Sequence, residues 1–227
     1  GCFGKSDPAE ARAAATSGLP SELEQLRDNV TREPALAEIR SNQLWVTWYD
    51  DRSRRCSWSG NLAVTLLAGL IGGLFAVISA IFFIEKHGLF AMTYVVIGAP
   101  IVEELLKQSG MIYLLEMKPY RIRTAVQIFI AAIVAALVFS TLENLIYFIS
   151  FKANHVRNIE QIMLFRLTFC TALHIVCCIL SSFGLMYAWG IHRRLGREFH
   201  LADAFPGFMI AMVVHSLYNL TVSFIRF

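Results

Sequence analysis

Five apolar stretches of roughly 20 residues or more, separated by short polar connections, leave this chain few folds to choose from. They run from about Asn61 to Ile84, Gly88 to Leu115, Thr124 to Phe151, Gln161 to Gly190, and Leu201 to Ile225. Each is long enough to cross the hydrocarbon core of a bilayer as a helix, some with length to spare for tilt. In hydrocarbon every backbone polar group must be satisfied within the segment, so the expectation is an all-α membrane protein. It is a bundle of about five transmembrane helices with a polar pocket near the midplane. Composition agrees: the chain is 56% hydrophobic and 16% charged, which is not the make-up of a soluble domain. The net charge of +3 is too small to argue for nucleic acid as a partner; the lipid bilayer is the partner that the spans imply.

Residues 1–60 are a different material and form a separate cytoplasmic segment, partly disordered or interfacial, ahead of a membrane domain at 61–227. Gly1 to Gly18 is small, polar and alanine-rich, as in disordered chain. Ser21 followed by Glu24 is a helix-start pattern, and Pro34 breaks that helix or opens a second one. Leu44-Trp45-Val46-Thr47-Trp48-Tyr49 is aromatic and suits a membrane surface. The start Gly1-Cys2 is compatible with a lipid anchor on both residues. Five cysteines, at 2, 56, 170, 177 and 178, show no disulfide spacing.

Lys and Arg at the ends of the spans set the orientation. Arg52, Arg54, Arg55, Lys118, Arg121, Arg123, Arg193, Arg194 and Arg197 fall on one side, against Lys86, Lys152, Arg157 and Arg226 on the other. Nine against four predicts an N-terminus in the cytoplasm. The first span has no ionisable residue, and its Gly69, Gly72 and Gly73 make a small-residue face for helix packing.

The other four spans carry polar groups at depth. The second holds Glu103, Glu104 and Lys107 just after Gly98 and Pro100; the proline takes away the hydrogen bond that Val96 would otherwise receive. On insertion scales each such charge costs about 2.5–3.5 kcal/mol at a helix centre, so three in one span need partners or a job. Lys107 is one turn from both carboxylates and can reach either. The third span holds Glu143 and Asn144, with Tyr147 on the face of Glu143. The fourth holds His174, and Arg166 near its outer end, where the guanidinium is expected to snorkel. The fifth holds His215 and Asn219, one turn apart. Cys170, Cys177 and Cys178 share a face with His174 and are read as small packing residues rather than soft-metal ligands.

Two adjacent carboxylates in poorly solvated surroundings cannot both ionise cheaply, and one should pair with Lys107 as the anion. A carboxylate with a histidine can hold and deprotonate a water. A histidine and an amide one turn apart can donate to an oxyanion. These are parts for water attack on a peptide carbonyl. Glu103, Glu143, His174 and His215 could equally hold a divalent metal such as zinc. Buried Glu, Lys and His also occur in proton- or ion-coupled carriers, although five spans without a repeat suit a carrier poorly.

Glu103-Glu104-x-x-Lys107, Glu143-Asn144-x-x-Tyr147, His174 after Arg166, and His215-x-x-x-Asn219, in that order on successive spans, resemble the PrsW family of intramembrane proteases, relatives of the CAAX prenyl endopeptidases. The resemblance covers about residues 61–227. It implies a glutamate-dependent membrane endopeptidase acting in regulated intramembrane proteolysis on single-pass membrane proteins such as anti-sigma factors. By motif it makes Glu103 the base, helped by His174, and His215 with Asn219 the oxyanion site. Glu104 and Lys107 orient and tune the base, and Glu143 is a further acid or ligand. The alternative within the superfamily is a non-catalytic member that scaffolds a membrane partner.

Overall fold

The computed structural model describes residues 34–81 and 92–224, with side chains described over 43–79 and 92–224. The Gly1-Cys2 lipidation, the Ser21–Glu24 helix start and the ends of spans one and two around Lys86 and Gly88 lie outside these residues.

The described chain is helical throughout its regular structure, without a strand. Helix α1, Pro34–Arg54, begins on Pro34, where a proline costs nothing because the first helical N–H has no partner to lose. Helix α2 spans Trp58–Ile81. Helix α3 is a π-helical turn, Tyr94–Gly98, continued by Ala99–Met117. Helix α4 is Ala125–Ala153, opened by a capping box between Thr124 and Gln127. Helix α5 covers Ile159–Leu195 and is interrupted by a second π-helical turn at Arg166–Cys170. It ends on Gly196, whose φ of 62° is the left-handed cap that glycine takes most easily. Helix α6 is Phe205–Phe224, entered through a short 3-10 turn at Leu201–Ala204.

Four of these helices, α2, α4, α5 and α6 with its entry turn, are long and apolar enough to cross a membrane. Helix α3 falls outside that group on composition, since Glu103, Glu104 and Lys107 sit in its middle. It meets the problem by turning them inward, where all three are at most 4% exposed. Large apolar side chains such as Leu67, Phe75, Leu145, Ile149, Leu164 and Leu217 are left facing outward, as lipid contact requires.

Small residues decide how closely the helices approach. Helix α2 lies against both α3 and α4, and α5 against α4 and α6, while α3 also touches α4, α5 and α6. A Cβ on Gly69 would stand 2.5 Å from the Ala131 carbonyl, and one on Gly73 2.8 Å from that of Ala135. A Cβ on Gly72 would strike the Lys107 carbonyl, and one on Gly110 that of Ala68. Helix α4 answers with Ala131, Ala132, Ala135 and Ala136, none more than 1% exposed. Such contacts let backbones pack without a solvent-driven force between helices. The ionisable-free α2 is thus a rigid back wall that presses α3 toward the centre of the bundle.

Helix α1 is tied to the end of this bundle. The Tyr49 hydroxyl donates to the Ile122 carbonyl at 2.7 Å. The Arg123 guanidinium donates to the Ser53 carbonyl at 2.5 Å, which also receives the Cys56 N–H at 3.2 Å, and to the Cys56 carbonyl just beyond α1.

Candidate active site

Both π-helical turns of the described chain border the same cavity. In α3 the Ala99 N–H reaches back to the Tyr94 carbonyl instead of Val95, and Pro100 has no N–H to offer either Val95 or Val96. The Val95 carbonyl is instead taken by Asn219 Nδ2 from α6 at 2.9 Å. The carbonyl expected to be freed by Pro100 is that of Val96; in the π-helical register the one that Asn219 holds is Val95, one residue earlier, and this bond ties α6 to α3. In α5 the turn at Arg166–Cys170 turns Arg166 and Cys170 into the cavity. π-turns are often kept at functional sites because they re-aim side chains at the expense of regular bonding.

The centre of the site is a chain of buried polar contacts across four helices. Lys107 Nζ donates to Glu104 Oε1 at 2.8 Å and to His174 Nδ1 at 3.0 Å. An ammonium has no lone pair, so His174 Nδ1 must accept and the ring hydrogen lies on Nε2. That Nε2–H donates to Glu143 Oε2 at 3.1 Å. Arg166 Nη2 pairs with the same Glu143 oxygen at 3.0 Å, and Arg166 Nε donates to Asn144 Oδ1 at 3.2 Å. From α6, His215 Nδ1 is 2.9 Å from Glu104 Oε1. With Glu104 as the anion of the Lys107 pair, His215 donates from Nδ1 and keeps its lone pair on Nε2. That Nε2 lies 3.8 Å from Glu103 Oε2. The two imidazoles meet edge to face, 5.1 Å between centroids, and Phe139 closes the other side of His174 at 4.8 Å.

Glu103 and Glu104 each keep one buried Oε2 without a hydrogen-bond partner, but of the two only Glu103 lines the cavity. The Glu103 Oε2 is 3.6 Å from the Lys107 ammonium. Buried polar atoms are nearly always paired, and an orphan needs a reason. Glu103, Glu143, His174, His215 and Asn219 all line a cavity of about 160 Å³, with Arg166, Cys170, Tyr147 and Tyr218 around them. The structure therefore brings Glu103, Glu104, Lys107, Glu143, His174 and His215 into one buried cluster, with Asn219 on the wall of the same cavity.

The place of Arg166 also needs correction, and several residues were missed. Arg166 does not snorkel: its side chain is 15% exposed, paired with Glu143, and lies 3.5 Å over the Tyr147 ring. Its signal in the sequence was its position eight residues before His174, which the π-turn converts into a place on the cavity wall. Tyr218 and Cys170, joined by a 3.0 Å contact, carried no signal that separates them from packing residues. Cys177 and Cys178 are fully buried thiols in the helix interface.

The residues fit a divalent metal by type. Ligand atoms of Glu103, His174 and His215 lie within 4.8 Å of one another, all buried, and two histidines with a glutamate are a zinc-hydrolase ligand set. His215 gives its other nitrogen to Glu104 and His174 gives Nε2 to Glu143, an outer-shell arrangement typical of metal-ligating histidines, but His174 Nδ1 is held by Lys107 at 3.0 Å and would have to leave it to bind a metal. Glu104, Cys177 and His215 form a second such group that shares His215.

A family model described as PrsW family intramembrane metalloprotease matches residues 55–227. Four apolar helices around a buried acid–histidine cluster define a multi-pass membrane protein of the intramembrane protease class, and the chain belongs to the PrsW family. Neither a curated protein nor a solved structure matches it.

Proposed function

We propose that this protein is an intramembrane endopeptidase that hydrolyses a peptide bond of a single-pass membrane protein, with Glu103 as the group that takes the proton from water. The observation that carries this reading is the buried Glu103 Oε2, without a hydrogen bond and on the cavity wall, 3.8 Å from His215 Nε2. A water on the cavity side of these two atoms can give one hydrogen to Glu103 and the other to the His215 lone pair, which aims its oxygen at a substrate carbonyl.

The chain's own residues suffice to write a balanced step. Glu103 Oε2 removes a proton as the water oxygen bonds to the carbonyl carbon. The carbonyl π electrons move to its oxygen, which receives a hydrogen bond from Asn219; one Nδ2 hydrogen of Asn219 serves Val95 and the second is available. As the C–N bond breaks, Glu103 returns its proton to the leaving nitrogen. His174 gives both nitrogens to Glu143 and Lys107, so its part here is to hold those two groups in place. His215, with its Nδ1–H on Glu104, becomes a further oxyanion donor whenever Nε2 carries a proton. A divalent metal held by Glu103, His215 and a His174 Nδ1 released from Lys107 would supply a more acidic water and polarise the carbonyl. The positive-charge pattern supports an N-terminus in the cytoplasm.

The test is proteolysis in liposomes with a panel of single-pass substrates, comparing wild type, Glu103→Gln, and wild type with a chelator. Cleavage by wild type and not by Glu103→Gln supports the reading, and loss with chelator adds the metal to it. Cleavage retained by Glu103→Gln would overturn the assignment.

A further inference from the structure

We propose that the crevice between α1 and the ends of α4 and α5 binds the phosphate of an acidic membrane lipid with a phosphomonoester headgroup. The crevice, of about 480 Å³, is lined by Tyr49, Asp50, Ser53 and Arg54 of α1, Arg123 before α4, and Arg193 near the end of α5. Three guanidiniums against one carboxylate give 3 − 1 = +2. Among the described residues none of the three is ion-paired to a carboxylate, although surface guanidiniums elsewhere in this chain are: Arg55 with Asp51, and Arg197 with Asp203. A phosphomonoester carries a charge of about −1.5 to −2 near neutral pH, which matches the excess, and guanidinium forks fit phosphate oxygens.

Two of the three guanidiniums are held in place before anything binds. Arg123 is committed to the Ser53 and Cys56 carbonyls. Arg193 lies between two rings, 5.4 Å from the Tyr49 centroid and 5.1 Å from that of Trp189, and its Nη1 donates to the Arg123 carbonyl at 3.3 Å. Arg54 is on the exposed rim. Such pre-positioning reduces the ordering cost of binding.

Depth decides the source of the phosphate. The crevice sits where α2 begins at Trp58, α4 begins at Ala125 and α5 ends at Leu195, which is where those spans leave the hydrocarbon. Trp48 and Trp58, 39% and 66% exposed, and Tyr120, edge-on to Trp48 at 5.5 Å, ring the same end, as aromatic residues do at headgroup level. A lipid of the adjoining leaflet reaches this place with its tails still in the bilayer.

The experiment uses the full chain in uncharged detergent micelles, titrated with phosphatidic acid, with phosphatidylcholine, and with inorganic phosphate. At about 1 kcal/mol for each basic residue near a membrane surface, binding of phosphatidic acid should exceed that of phosphatidylcholine by about tenfold or more. The Arg54→Gln/Arg193→Gln pair should remove most of that preference. Should the pair impair folding, Arg54→Gln alone, on an exposed side chain, must still weaken the phosphatidic acid complex. Equal binding of the two lipids, or unchanged binding by the variants, would overturn the proposal. Displacement of the lipid by equimolar inorganic phosphate would overturn it in favour of a soluble anion.

Discussion

In the middle of the bundle two cations, Lys107 and Arg166, face three carboxylates, Glu103, Glu104 and Glu143, which leaves 2 − 3 = −1 with neutral histidines. At the end crossed by α1 three guanidiniums face one carboxylate, which leaves +2. The inner cluster is closed: the Lys107 and Glu104 side chains are 0% exposed and every contact has a fixed geometry. The outer one opens to the headgroup region, with Arg54 and Arg193 exposed. Charges of the same kinds therefore do opposite work. In the closed cluster each charge depends on a particular partner, and Glu103, held only by a 3.6 Å approach to Lys107, is the carboxylate of the pair that faces the cavity. In the open crevice the excess charge is tolerable without a partner, because water and headgroups solvate it.

Removing a partner from the closed cluster should have the largest effect. Lys107→Met leaves Glu104 buried without its cation and should cost about 3–5 kcal/mol, read as a fall in thermal unfolding midpoint in detergent. Adding Glu104→Gln should restore part of it; a single variant as stable as wild type would break the comparison. Glu103→Gln separates stability from activity. It should reduce cleavage by about 10²–10⁴-fold with an unfolding midpoint equal to or above that of wild type, since the lost charge had no hydrogen-bond partner. A large drop in stability would mean that Glu103 is a packing residue.

Gly110→Ala tests the wall that holds the cluster in place. Its Cβ would meet the Ala68 carbonyl of α2, and overpacking of this kind costs about 1–3 kcal/mol. It should also lower cleavage by displacing the helix that carries Glu103 two turns away. Asp51→Asn is the control at the exposed end. The Asp51–Arg55 side chains are 57% and 74% exposed, and the change should be at most about 0.5 kcal/mol, measured by the same unfolding assay. An effect as large as that of Lys107→Met would erase the distinction between the two regions.

Much of this architecture is legible in the sequence because the bilayer leaves so few alternatives. An apolar run of sufficient length is a helix, short connections make neighbours antiparallel, and a charge in such a run must face inward. The expected third span, Thr124 to Phe151, compares with Ala125–Ala153 in the structure, and the fourth, Gln161 to Gly190, with Ile159–Leu195. The spacing of Glu103, Glu104 and Lys107 predicts the pairing, since residues three and four apart share a helix face. It also leaves undecided which carboxylate Lys107 prefers, and the structure places Glu104 0.8 Å nearer, 2.8 against 3.6 Å.

What periodicity could not supply was the direction of each proton and the place of Arg166. A sequence records that His174 and His215 lie in membrane spans, but the hydrogen of each ring is decided by the groups that other helices bring to it: Lys107 and Glu143 for His174, Glu104 for His215. Arg166 reads as a snorkelling residue on a regular helix, and the π-turn at Arg166–Cys170 together with Glu143 from α4 makes it part of the site instead. The sequence by itself determined that this chain crosses a membrane several times and carries its ionisable groups on four successive spans, because burial costs in hydrocarbon are local to each helix. Only the tertiary structure decided that these groups form one cluster in which Glu103, and not Glu104, faces the cavity, because pairing between helices depends on how closely α2, α3 and α4 approach across their glycines and alanines.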